Sequence, residues 1–128
     1  MSTRVLFVDD ESVFIDQYSD LIKVLGMEVA TALNGRLALE SLANEKDQID
    51  VVLLDLMMPG MTGAEVLREI RSDKKKYGNP KVVILSNLAS EPMIKEAFGL
   101  GADSYLIKTE VTFDELKKEI EKVLSNDK

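Results

Sequence analysis

The chain contains no histidine and no cysteine. Without imidazole there is no base of that type, no zinc site built on histidine and no phosphohistidine. If phosphate chemistry occurs, another residue type carries it. Without thiols there is no disulfide framework and no thiolate metal centre. No window approaches the roughly eighteen continuous apolar residues of a membrane span. Residues 1–9, MSTRVLFVD, lack the apolar core and small-residue cleavage site of a signal peptide, so a cytosolic protein is expected. Positive charge is in deficit as well: 16 Lys and Arg against 23 Asp and Glu give a formal charge of −7. The basic surface that grips nucleic-acid phosphates is therefore not expected, and neither nucleic acid nor membrane is an expected direct partner. What is present, 128 residues with 45% hydrophobic and 30% charged side chains, suits one globular domain able to bury about two thirds of its unfolded surface. A single domain over 1–128 is expected, with a core at about 4–124 and a polar tail, SNDK, at 125–128.

Short apolar β-branched runs alternate with longer stretches of helical period, the pattern of repeated βα units around a parallel sheet. RVLFVD (4–9), MEVATA (27–32), VVLLD (51–55), KVVILS (81–86) and SYLIK (104–108) are the expected strands. The first, third and fourth are continuously apolar, as in strands buried on both faces, while MEVATA alternates and reads as an edge. Between them, Phe14, Tyr18, Leu21, Ile22 and Leu25 form one helical stripe, and Phe113, Leu116, Ile120, Val123 and Leu124 another. Thr62 with Glu65 and Thr112 with Glu115 have capping-box spacing, Pro92 suits a first helical turn, and Gly26, Gly99 and Gly101 are placed after helix ends. The basic stretch RSDKKKYGNPK (71–81) reads as a solvated loop.

Five such units at this size predict a flavodoxin-like, doubly wound (βα)5 sandwich, an α/β fold with a five-stranded parallel sheet of order 2-1-3-4-5. Chemistry in such sheets collects at the carboxyl ends of the strands, and those ends carry Asp9 with Asp10, then Asp55, Ser86 and Lys108. Adjacent strands lie about 4.8 Å apart, which brings Asp9 or Asp10 and Asp55 within a few ångströms. Three carboxylates so close favour a proton or a hard divalent cation, and Mg²⁺ suits carboxylates plus phosphate oxygens. Beyond Asp55, Ser86 offers a hydroxyl one strand away, and the stem of Lys108 can carry its ammonium over the fourth strand. The arrangement suits Asp55 as the nucleophile towards a phosphoryl group, with cation and Lys108 neutralising charge and Ser86 donating a hydrogen bond.

VDDE (8–11), LLDLMMPGMTG (53–63), ILSN (84–87) and GADSYLIK (101–108), in this order and spacing, resemble the receiver domain of two-component response regulators over about residues 4–124. The resemblance implies that Asp55 accepts phosphate from a histidine kinase or histidine phosphotransfer protein. It implies that Asp9, Asp10, Asp55 and the backbone carbonyl of Met57 hold Mg²⁺, and that Ser86 and Tyr105 are switch residues. It further implies an output face made by helix 4, strand 5 and helix 5, counting one helix per unit. That face would serve a downstream protein target, a fused effector domain or a homodimer. With no effector domain after residue 124, a stand-alone regulator or a receiver excised from a longer chain is expected.

Two positions depart from the family pattern. Thr109 replaces the usual cis proline after the lysine, and because a non-proline cis bond costs about 2.5–4 kcal/mol the Lys108–Thr109 bond is expected to be trans. Asn87 stands where a small residue is usual, so its amide is expected to alter the rate at which phosphate is lost. The second reading is a receiver-shaped protein-interaction module that never carries phosphate. An FMN-binding flavodoxin would need a hydroxyl-rich loop where this chain has DDES, an aspartate-nucleophile hydrolase would need an acid where it has Met57, and no glycine-rich ATP loop is present. The chain is thus expected to catalyse only its own phosphorylation and dephosphorylation.

Overall fold

Five strands, β1 (Arg4–Val8), β2 (Glu28–Ala32), β3 (Val51–Leu54), β4 (Lys81–Ser86) and β5 (Ser104–Ile107), pair in parallel in the order β2-β1-β3-β4-β5. The computed structural model describes residues 2–87 and 90–125. All four pairings are parallel, including Val8 opposite Leu54 and Ser86 opposite Ile107. The flavodoxin-like order expected from the sequence is the one observed. β1, β3 and β4 are buried almost throughout, whereas β2 at one edge is largely open.

Among the described residues six helices cover the sheet: α1 (Ser12–Val24), α2 (Gly35–Asn44), α3 (Gly63–Ser72), α4 (Lys74–Tyr77), α5 (Glu91–Gly99) and α6 (Phe113–Ser125). Alternate strand residues feed two separate apolar layers, as the period of two requires. Leu6, Val8, Val52, Leu54, Val82 and Ile84 pack with side chains of α2, α3 and α5. Val5, Phe7, Val51, Leu53, Val83 and Leu85 pack with α1 and α6. The sheet is therefore covered on both faces, and its free carboxyl rim is where polar groups can gather.

The helix starts follow the sequence. Thr62 and Glu65 exchange bonds of 2.9 and 3.2 Å in a capping box, and Thr112 and Glu115 do the same at 2.8 and 3.2 Å. Pro92 lies in the first turn of α5, and Gly26 takes a left-handed φ of 85° just past α1. Four expectations are corrected. Gly99 is the last residue of α5 rather than a residue beyond it. Phe113, placed in the core stripe of α6, is 40% exposed. Strands 1, 3 and 5 each stop one residue early, leaving Asp9, Asp55 and Lys108 just outside regular pairing.

The fourth correction concerns 71–81, which is not a solvated loop. Arg71 and Ser72 close α3, and Asp73 caps the single turn of α4 by accepting from the Lys76 amide at 3.1 Å. The exposed lysines are flanked by two anchors. Tyr77 is buried, and the Arg71 guanidinium donates to the carbonyls of Gly101 and Pro80 and to the Asp103 carboxylate. A hydropathy reading counts Arg71 as charge and misses that its five donors can serve otherwise unpaired carbonyls. Of the expected tail, Ser125 ends α6 and residues 126–128 lie outside the described residues.

Candidate functional site

The ladder bonds continue one residue past three strands: the amides of Asp9, Asp55 and Lys108 donate to the carbonyls of Ala32, Val8 and Ser86 at 3.1, 3.1 and 2.8 Å. Each functional side chain thus leaves a rigid backbone at the sheet rim. The carboxylate oxygens of Asp9, Asp10 and Asp55 lie within 4.8 Å of one another. Asp9 is fully buried and Asp55 nearly so, with Asp10 the most open of the three. Ser86 and Lys108 are also buried.

Two backbone amides fix the acids from below. Glu11 donates to Asp9 Oδ1 at 2.9 Å, and Met57 donates to Asp55 Oδ1 at 3.3 Å. The remaining oxygens, Asp9 Oδ2 and Asp55 Oδ2, face Lys108 Nζ at 2.5 and 3.5 Å. The ammonium is carried over the fourth strand to Asp55, the reach expected of its stem, and goes on to make its shorter contact with Asp9. The reason is electrostatic: two buried carboxylates stand side by side, and the four-carbon stem is long enough to reach both.

Titration behaviour follows from this crowding. Burial lifts the Asp55 carboxyl above its ordinary range; Lys108 and the Met57 amide oppose the rise and Asp9 adds to it. Burial works against the Lys108 ammonium, but its bond to Asp9 and the charges of Asp55 and Asp9 outweigh that and hold its pKa above the usual lysine value. The Tyr105 hydroxyl is pushed up by burial and by Asp55, with a hydrogen bond to Ser86 acting in the opposite direction.

The structure brings together Asp9, Asp10, Asp55 and Lys108, with Ser86 at the end of the neighbouring strand and coupled to Tyr105. The Met57 side chain is 60% exposed, and Asn87 and Thr109 are exposed as well. The Lys108–Thr109 bond is trans, as expected. Sequence reasoning missed Gly63. A Cβ there would lie 2.3 Å from the Asp55 carbonyl oxygen and 2.7 Å from Leu56 Cα, so only glycine lets the start of α3 press against the Asp55 backbone. The signal was a glycine placed directly after an N-cap, where nothing about capping asks for one. Also unread were Phe14 and Tyr18 of α1, assigned to packing alone, which both touch Lys108.

A buried carboxylate, two acids and a cation at one rim can hold a hard metal ion and take up an electrophilic phosphorus centre. Comparison with known proteins gives the family. The chain is 36% identical over 109 residues to the chemotaxis protein CheY of Thermotoga maritima, covering 84% of this chain and 87% of that one. It is 34% identical over 127 residues to hybrid signal transduction histidine kinase L of Dictyostelium discoideum, covering 96% of this chain but only 7% of that protein. Among solved structures, CheY4 of Vibrio cholerae superposes with a TM-score of 0.86 at 31% identity, covering 97% of this chain and all of the other. With a family model for the response regulator receiver domain matching residues 5–121, the chain belongs to the response regulator receiver family of two-component signalling.

Proposed function

We propose that the chain is a phosphorylation-dependent switch acting as one receiver unit, in which Asp55 accepts a phosphoryl group from the phosphohistidine of a histidine kinase or phosphotransfer protein. The observation that carries the reading is the buried Asp55 carboxylate, flanked by Asp9 and Asp10 on one side and within 3.5 Å of the Lys108 ammonium. Asp55 Oδ2 attacks phosphorus, the P–N bond to the donor imidazole breaks, and the imidazole nitrogen keeps the bonding pair. Asp9, Asp10, Asp55 and the Met57 carbonyl would hold Mg²⁺, an oxygen donor set that fits this ion and that supplies positive charge to the phosphoryl oxygens when it is bound. Lys108 moves from Asp9 to a phosphoryl oxygen, and Ser86 exchanges its bond to Tyr105 for another. Tyr105 then biases the face of α5, β5 and α6 between two states, which a downstream protein, a fused effector or a second copy reads. Asn87 and Thr109, at the margins of the pocket, tune phosphate lifetime and lysine aim. The setting is cytosolic.

Intact mass after incubation with acetyl phosphate and Mg²⁺, beside Asp55→Asn, tests the reading. One phosphoryl adduct, absent in the variant and after chelation, is the expected result. No adduct on a folded wild-type chain would instead favour the phosphate-independent interaction module.

A further inference from the structure

Lys108 is gripped from α1 at two points. The Tyr18 hydroxyl donates to the Lys108 backbone carbonyl at 3.3 Å, and the ammonium lies 4.2 Å from the centre of the Phe14 ring. Phe14 and Tyr18 are four residues apart and so share one face of the helix, with ring centres 6.3 Å apart. Tyr18 in turn packs on Phe7 at 5.3 Å, and Phe7 is a fully buried residue of β1, the strand that leads into Asp9. An aromatic ladder therefore runs from the sheet to the lysine head.

The two contacts do different jobs. Carboxylates attract an ammonium from any direction, and a lysine stem has enough rotatable bonds to answer from several. The Tyr18 bond fixes where the stem begins. The ring face attracts the cation through its quadrupole but accepts no ordinary hydrogen bond, so it steers the three N–H donors toward the oxygens of Asp9 and Asp55. Helix packing alone would account for two half-buried aromatic residues, but not for both meeting the same lysine at opposite ends.

We propose that Phe14 and Tyr18 are positioning residues for Lys108, which hold its ammonium on the oxygen side of Asp55 and out of solvent. The kinetic consequence rests on the phosphoacceptor reading; the placement itself does not, and is measured without phosphate.

The test uses Phe14→Leu, which keeps apolar bulk without the ring face, Phe14→Tyr, which keeps the face, and Tyr18→Phe, which removes only the hydroxyl. The ¹⁵Nζ resonance of Lys108, assigned by its loss in Lys108→Met, reports the ammonium directly. Its protons are expected to exchange with solvent about tenfold faster in Phe14→Leu and in Tyr18→Phe, and at the wild-type rate in Phe14→Tyr. Phosphorylation by acetyl phosphate is expected to slow about three- to tenfold in Phe14→Leu, and not to slow further when that change is added to Lys108→Met. An unchanged Lys108 signal in Phe14→Leu and Tyr18→Phe overturns the proposal, as does equal slowing in both backgrounds. Were the wild type to take up no phosphate, the phosphoacceptor reading would fail and the resonance would still decide this one.

Discussion

Replacing Lys108 by methionine keeps an unbranched stem of similar length and deletes one charge. In the folded chain that charge stands 2.5 Å from Asp9 and 3.5 Å from Asp55, with all three side chains buried. At an effective dielectric of about 20 the gross attractions are about 7 and 5 kcal/mol. Desolvation of the ions offsets most of this, but removing one partner strands the others, and such losses run to about 3–5 kcal/mol. A domain of this size holds roughly 5–15 kcal/mol in all, so the variant should fold with its melting temperature lowered by roughly 10–20 °C.

Two conditions should rescue it. Mg²⁺ faces no competing ammonium in the variant, so millimolar Mg²⁺ should raise its melting temperature by more than it raises the wild type's. Acid should help as well. Asp55 already titrates above the ordinary carboxylate range because of burial, with Lys108 as the main opposing influence. Without the lysine its folded pKa rises further, the folded state binds more protons than the unfolded one, and the deficit shrinks as pH falls from 7 toward 5. Urea titrations at the two pH values, with and without Mg²⁺, measure all of this. A loss below about 1 kcal/mol at pH 7 without Mg²⁺, or one that neither acid nor Mg²⁺ reduces, would refute the view that one ammonium balances this pocket.

Two further outcomes follow from contacts at the pocket and away from it. Gly63→Ala forces a methyl against the backbone of Asp55 and Leu56, neither of which can rotate away; a loss of about 1–3 kcal/mol in urea is expected, together with a smaller stabilisation by Mg²⁺ than in the wild type. Arg71→Ala strands the Gly101 and Pro80 carbonyls and leaves Asp103 with the Val82 amide but without its counter-charge; a loss of about 2–3 kcal/mol is expected in thermal unfolding, and one under about 0.5 kcal/mol would show that water replaces the guanidinium.

The fold was legible because strand period and helix period are both written in apolar spacing, and parallel strands buried on both faces leave unbroken runs such as VVLL. The acids were legible because strand ends and topology together dictate which side chains meet. Lys108 was legible as a neighbour of Asp55, but its shorter contact with Asp9 was not, since the endpoint of a long flexible stem depends on the local field and not on its register. Arg71 and Tyr77 were hidden by their neighbours: a run of lysines dominates any window average, while burial of the two anchors is decided by carbonyls and apolar surface contributed by distant segments. Phe14 and Tyr18 matched a packing stripe, and that match concealed a second use of the same side chains.

The bond between Asp9 and Lys108 joins residues 99 positions apart, and the Tyr18 bond to Lys108 spans 90. During synthesis, at roughly 5–20 residues per second, the first helix and its strand leave the ribosome several seconds before β5 does. In that interval Asp9, Asp10 and later Asp55 can be exposed without their counter-charge. A nascent chain lacking β5 then carries the acidic cluster without the ammonium that balances it in the folded chain, and the pocket is electrostatically complete only when β5 docks.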